Sequence, residues 1–191
     1  MTEKWEEAAF SFINSLSDSS PTPGGGAAGA VSAAMGCALG EMMCSISSKS
    51  EFVSAENRIK LQKILPCISK LKKQLMANIS EDAHAFEEYM KASKSIMPKE
   101  ERAKAVQAAL KNAAEVPLKT AMLSSEAIDI LHKIKGSLSP KIMSDYFAAE
   151  RLLKAAIECS AEIIKLNLKY LKDKNAAETI KQNLDKCLTK N

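Results

Sequence analysis

The 191-residue chain has only two histidines, His84 and His132, and no group of His, Cys and carboxylate residues at the spacing of metal ligands. No metal site is therefore expected. Its five cysteines, Cys37, Cys44, Cys67, Cys159 and Cys187, make no C-x-x-C pair, and an odd set of scattered thiols fits a reduced, cytoplasmic chain better than a disulfide framework. Cys37 and Cys44 stand seven residues apart and share a helical face, the usual place of small core residues rather than redox partners. Aromatic residues are 5% of the chain and strict apolar/polar alternation is nearly missing, which argues against sheets. Dense basic blocks are also missing. The net charge is +4, with lysines interleaved among glutamates, so nucleic acid is not an expected partner; a modest positive field would instead help attract an anionic small molecule. The opening Met1 to Glu7 is acidic and polar, unlike a secretory signal.

Only one long apolar run occurs, Ala27 to Ile46. It contains Glu41 and is built from Ala, Gly and Ser more than from Leu, Ile or Phe, so it reads as a helix buried on all sides of a protein core and not as a membrane span. Gly36 and Gly40, with the alanines around them, let other helices approach closely, which suits a central or dimer-interface helix.

What is present is helical periodicity throughout. Trp5, Ala8, Ala9, Phe12, Ile13 and Leu16 mark an amphipathic first helix ending at Ser17 to Ser20. The Ala27 helix follows, then a polar break over 47–54 and a long helix from Ala55 to Ala92 with Pro66 inside it. Pro98 with Glu100 and Glu101 predicts another start, for a helix that bends near Pro117 and stops at Gly136. Ser139-Pro140 opens a helix to Lys172, and 175–188 forms a short amphipathic tail. The expected architecture is all-α: one domain, residues 1–191, a bundle of long kinked helices.

The segment Ser20-Pro21-Thr22-Pro23-Gly24-Gly25-Gly26 turns directly into the apolar helix. Prolines that restrict φ and glycines that free it present unpaired backbone N–H groups at a helix start, which suits an anionic or polar ligand; the same composition also serves as plain punctuation. It is not a Walker loop, because no Gly-Lys-Ser/Thr closes it, and no strand precedes it. Four further polar residues lie near apolar stripes. Asp82 is one residue from the stripe of Leu75, Ile79, Ala83, Phe86 and Met90, whereas His84 faces about 200° away from Asp82. Glu115 precedes Pro117, whose missing N–H frees the Ala113 carbonyl. Asp145 lies in an early helical turn, where the helix dipole alone would favour it. Asn167 falls in the stripe of Ala149, Leu153, Ala156, Ser160, Ile164 and Leu171, and a buried amide there must find partners, in a ligand or in a neighbouring helix.

The elements Pro21-Thr22-Pro23-Gly24-Gly25-Gly26, Asp82-Ala83-His84-Ala85-Phe86, Ala113-Ala114-Glu115-Val116-Pro117-Leu118, and Ser144-Asp145 followed by Asn167-Leu168 and Asp173 occur in the order of the formiminotetrahydrofolate cyclodeaminase and methenyltetrahydrofolate cyclohydrolase family. The resemblance extends over about residues 5 to 175. It implies a folate one-carbon enzyme, with cyclodeamination of 5-formiminotetrahydrofolate, as in histidine degradation, placed ahead of methenyltetrahydrofolate hydrolysis. The alternative is a divergent, non-catalytic ligand-binding homo-oligomer. It further implies a tetrahydrofolate derivative as substrate and no tightly bound cofactor; the small residues Gly29, Ala33, Gly36 and Gly40 of the Ala27 helix separately predict a homodimer joined through that helix, and no membrane partner is expected. Asp82, Glu115 and Asp145 would be the catalytic carboxylates, with Asp82 leading, and Pro23, Gly24, Gly25, Gly26, Lys49 and Asn167 would bind substrate. The chain departs from the family pattern at Ala27, where serine is common, and at Ser47 to Phe52, where Lys49 alone remains of a basic turn. It departs also at Tyr146-Phe147, which replace a small residue and glycine, and at Ile163, which replaces an asparagine.

Overall fold

The computed structural model describes residues 3–189. Six α-helices follow one another: α1 (Lys4–Ser17), α2 (Gly25–Ser47), α3 (Ala55–Lys94), α4 (Lys99–Ile134), α5 (Met143–Leu168) and α6 (Lys174–Thr189). Two 3-10 turns, Lys135–Ser137 and Pro140–Ile142, join α4 to α5, and no strand occurs among the described residues. The all-α expectation and the order of helices hold. Pro66 and Pro117 both lie inside helices that continue past them.

Local chemistry sets most of the ends. Ser54 caps α3 by accepting the Asn57 N–H at 3.3 Å, and Glu100 and Glu101 complement the start of α4. Asp173 accepts the Ala176 N–H at 3.0 Å to open α6. One end was placed late by periodicity: α5 stops at Leu168, not Lys172. The cause is tertiary. Gln107 of α4 accepts the Lys172 N–H at 2.7 Å and donates to the Tyr170 carbonyl at 3.2 Å, so the chain is drawn off the helix axis.

Helices α2, α3, α4 and α5 form a four-membered ring in which each packs on two neighbours, and α6 lies against α4 and α5. The pairing of α2 with both neighbours is antiparallel: Gly26 meets Asp82 and Gly40 meets Ile68 on α3, while Gly29 meets Cys159 and Gly36 meets Leu153 on α5. Close approach depends on missing side chains. A Cβ on Gly36 would stand 2.7 Å from Leu153 Cγ and 3.0 Å from the Ala149 carbonyl. The core of Met43, Leu61, Ile68, Leu75, Ile128 and Leu153 fills the ring, and each fully buried large apolar side chain contributes about 1.5–3 kcal/mol of transfer free energy. Cys37 and Cys44 belong to this core, where burial pushes their thiols up to about 12 and about 11.

Two expectations need correction. Helix α2 is long and apolar enough to cross a membrane by length and composition, yet it is not buried on all sides: Met35, Ala38, Met42 and Ile46 are exposed, because α3, α4 and α5 cover only the remaining faces. Its small residues Gly29, Ala33, Gly36 and Gly40 are all buried within the chain itself, so they serve the intrachain packing and are not free for a second copy. Helix α1, although amphipathic, has no buried residue; Trp5, Phe10 and Ile13 stand exposed.

Candidate functional site

Three features predicted separately from the sequence meet at one end of the ring. The 21–26 turn, the middle of α3 and the end of α5 line a cavity of about 480 Å³, within the size range of small-molecule sites. Gly24, Gly25 and Gly26 bring the start of α2 to its edge, and Thr22, Asp82 and Asn167 are among its polar side chains. Its apolar wall comes from Phe86, Tyr89, Leu110, Ile163, Leu166 and Tyr170.

Asp82 is seated by Gly26. A Cβ at residue 26 would overlap the Asp82 carboxylate, so only glycine lets the carboxyl reach the first turn of α2. There it accepts the backbone N–H of Ala27, and burial pushes the carboxyl above its ordinary value against the pull of that hydrogen bond. The N-cap residue of α2, Gly24, has no side chain to offer, so the cap is supplied from α3. A carboxyl that is partly buried, held at a helix N-terminus and open to a cavity is placed for proton transfer.

Asn167 is oriented by a proline fifty residues away in sequence. Pro117 has no N–H to give the Ala113 carbonyl, and Asn167 Nδ2 donates to that oxygen at 2.8 Å. The bond identifies the amide nitrogen, since a carbonyl can only accept. Asn167 thus ties α5 to α4 and presents its own carbonyl oxygen at the cavity edge.

Other sequence-predicted residues lie elsewhere. Pro23, which follows a cis Thr22–Pro23 peptide, belongs to the turn but does not line the cavity. Glu115 is two residues, about 200°, round the helix from Ala113; it is half exposed, 3.8 Å from Lys111, and borders a separate shallow groove with Lys119 and Glu126. Asp145 sits in the first turn of α5, about 33 Å along that helix from Asn167. Lys49 follows the far end of α2 and is exposed. His84 is exposed on the opposite side of α3 from the cavity, as its spacing predicts. The aromatic and aliphatic walls were missed by a reading of polar motifs alone, although helical spacing marks them. Phe86 and Tyr89 lie four and seven residues after Asp82, and Ile163 and Tyr170 lie four before and three after Asn167.

The chain and its fold match known proteins. The family model described as formiminotransferase-cyclodeaminase matches residues 9–186. The chain belongs to that family. Among its relatives is the methenyltetrahydrofolate cyclohydrolase of Methylorubrum extorquens, 34% identical over 179 residues, which covers 90% of this chain and 84% of that protein. The formimidoyltransferase-cyclodeaminase of Gallus gallus is 30% identical over 171 residues, 85% of this chain and 30% of that protein. This member of the formiminotransferase-cyclodeaminase family therefore spans less than a third of the chicken protein. The crystal structure of formiminotetrahydrofolate cyclodeaminase from Thermotoga maritima superposes with a TM-score of 0.86 at 27% identity, over 94% of this chain and 87% of that one. Among the described residues of this family member, no three His, Cys, Asp or Glu side chains lie close enough to hold a metal ion.

Proposed function

We propose that the chain is an enzyme acting on the one-carbon bridge between N5 and N10 of a tetrahydrofolate, with hydrolysis of the 5,10-methenyl cation as its leading reaction. The observation that carries this reading is Asp82: a single carboxyl with its proton affinity raised by burial, at the mouth of α2, in a cavity walled by aromatic rings. A flat pterin suits rings that stack offset or edge-on, and a cationic methenyl carbon suits a carboxylate beside it.

In the hydrolytic direction Asp82 takes a proton from water as the oxygen bonds to the methenyl carbon, giving a neutral tetrahedral carbinol. Asp82 then returns that proton to N5. The C–N5 bond breaks as the hydroxyl releases its proton to solvent, leaving the formyl group on N10 and one proton in solution. Asn167, locked to Ala113, positions the ring through its free carbonyl oxygen, and the Ala27 N–H at the start of α2 holds Asp82 in place. Glu115 and Asp145 take no part within one chain, because neither borders this cavity. Hydrolysis is favoured by the relative of matching length from M. extorquens.

Cyclodeamination is the second reading, supported by the T. maritima neighbour, and uses the same carboxyl in reverse order. N10 adds to the formimino carbon, its proton moves to the imino nitrogen, and protonated Asp82 supplies a further proton so that ammonia leaves and the methenyl cation remains. Both readings are tested by the methenyl absorbance. Loss of absorbance from supplied methenyltetrahydrofolate supports hydrolysis, and gain from 5-formiminotetrahydrofolate supports deamination. Neither change, with tight binding retained, would leave the non-catalytic alternative.

The chain also reads as a homodimer, joined through the stripe Met35, Ala38, Met42 and Ile46 together with α1. A 14-residue helix is marginal in water by itself, and Trp5 and Phe10 alone offer about 150–250 Å² each, a sizeable part of the about 800 Å² per partner of a stable interface. Met42→Asp should give a folded monomer by light scattering. A wild-type monomer at micromolar concentration would remove this reading.

A further inference from the structure

The cavity stands over a buried polar pair. Along α3, Asn78, Asp82, Ala85 and Tyr89 follow one another on a single helical stripe; the last three line the cavity, and Asn78 lies one turn beneath them. Asn78 is fully buried, and its Nδ2 donates to Thr120 Oγ1 of α4 at 3.1 Å. Its Oδ1 is equally buried and has no hydrogen-bond partner among the described residues. Buried amide oxygens are almost always paired, and packing alone gives no reason for an amide here, because Leu71 and Leu75 continue the same stripe as buried apolar residues. The antiparallel register that sets Gly26 on Asp82 and Gly40 on Ile68 sets Ala30 across from Asn78, so α2 brings only a methyl group to that level.

We propose that Asn78 is a positioning residue: with Thr120 it fixes a buried water beneath Asp82, and this water hydrogen-bonds the Asp82 carboxyl from below. The inference rests on Asp82 as the proton-transfer group and deepens that reading. Side chains four apart on a helix have Cβ atoms about 5–6 Å apart, a gap that one water bridges, and three polar partners are usual for a buried water. It gives one hydrogen to Asn78 Oδ1 and accepts the Thr120 hydroxyl proton, which leaves its second hydrogen for the ionised carboxylate. The charged form is thereby favoured, together with the Ala27 N–H and against the burial that pushes this carboxyl up. No charged neighbour does the same work. The other titratable groups on the cavity are Tyr89 and Tyr170, the first turn of α2 carries no charge, and His84 and Glu87 on α3 are exposed. Glu81 is paired with Lys119 of α4 at 2.9 Å, Glu115 with Lys111 at 3.8 Å, and Glu162 of α5 with Lys165 at 2.7 Å. Hydration from beneath keeps Asp82 able both to take a proton from the attacking water and to return it to N5.

The test is the titration midpoint of Asp82, read in the free protein from its side-chain carboxyl resonance by NMR and in hydrolytic turnover from the acidic limb of kcat against pH. Asn78→Leu with Thr120→Val replaces both holders of the water by apolar groups of like shape, a change close to neutral for folding. The midpoint should rise by about one pH unit, the worth of one hydrogen bond to a charged group, so that turnover on the acidic limb falls about tenfold. Thermal unfolding should stay near that of wild type. Thr120→Val alone should move the midpoint the same way by less, and it carries the test if the double variant does not fold. Ser124→Ala removes another buried hydroxyl of α4, one that donates to the Thr120 carbonyl at 2.7 Å, and should leave the midpoint in place. A midpoint unmoved in the Asn78 and Thr120 variants, or moved equally by Ser124→Ala, makes the pair a packing contact and overturns the inference while Asp82 keeps its role. A wild-type acidic limb that survives in Asp82→Asn overturns the proton-transfer reading and this inference with it.

Discussion

The two ends of the helical ring are built from similar residues and behave differently. At the far end, where α2 finishes and α5 begins, polar groups meet one another. Ser47 Oγ accepts the Ser139 N–H at 3.0 Å, and Ser137 donates to Asn57 at 2.9 Å. Lys135 lies 5.0 Å from the Tyr146 ring centre and 5.3 Å from that of Phe147, and these two rings pack edge to face at 5.4 Å. The Tyr146-Phe147 departure from the family pattern thus helps close this end. At the near end the same economy is left unfinished: Asp82 has one backbone donor, Asn167 has one bond, and their remaining capacity faces a cavity. A helix bundle can satisfy its polar groups internally at both ends. Where it does not, the missing partners mark the site.

The sharpest way to break this comparison is Asp82→Asn. Loss of the proton-transfer group should lower turnover about 10²–10⁴-fold, with the fold retained because the amide oxygen still accepts the Ala27 N–H. Raised proton affinity in the folded chain means that the carboxyl favours folding at low pH and that this contribution is lost as pH rises through its folded pKa. The variant should therefore melt at the same temperature as wild type near neutral pH or higher, as calorimetry would report. Where the ionised carboxylate acts as base, activity should rise with pH through a midpoint above the ordinary carboxylate value, and the variant should lack that limb. Unchanged turnover would remove Asp82 from the mechanism.

Next come two glycines on α2. Gly26→Ala drives a methyl into the Asp82 carboxylate and Gly36→Ala drives one into Leu153; each should cost about 1–3 kcal/mol by overpacking. Only Gly26→Ala should also lower kcat well beyond its effect on the fraction folded. Equal loss of specific activity in both would mean that the near end is ordinary packing. A smaller contrast pairs Asn167→Leu with Ser47→Ala. Each leaves one backbone group without its partner, Ala113 C=O or Ser139 N–H, for about 1–3 kcal/mol in denaturant unfolding. The first should also weaken folate binding and the second should not. The smallest effects belong to Glu115→Gln and Asp145→Asn, expected to stay within about twofold of wild-type kcat because a carboxyl that far from the cavity makes no proton transfer there. A large loss from either would restore it to the catalytic set and would require a second chain to bring it to the cavity.

The linear chain was legible wherever a property is carried by neighbours in sequence. Helical period, the polar break before Ala55, the Pro98 start and the Gly136 stop are i to i+4 matters, and they located the helices to within a few residues. The angle between Asp82 and His84 was legible for the same reason. Gly36 could be read as a close-contact residue, though not which helix it would meet.

What the sequence by itself determined, then, is the set of helices, their apolar faces and a shortlist of polar residues that apolar faces do not explain. Only the tertiary structure decided among that shortlist. Glu115 and Asn167 looked alike as polar residues near a stripe, but the carbonyl freed by Pro117 faces α5, so Asn167 is drawn to it and Glu115 is turned to solvent. Lys49 and Asp145 were separated from the glycine turn by nothing more than helix length: 23 residues of α2 extend about 35 Å, and antiparallel packing puts the two ends of that distance at opposite ends of the ring. Which polar groups share a cavity depends on which helices are adjacent and in what direction they run, and that is settled by long-range packing of glycines and core side chains rather than by any local preference of the chain.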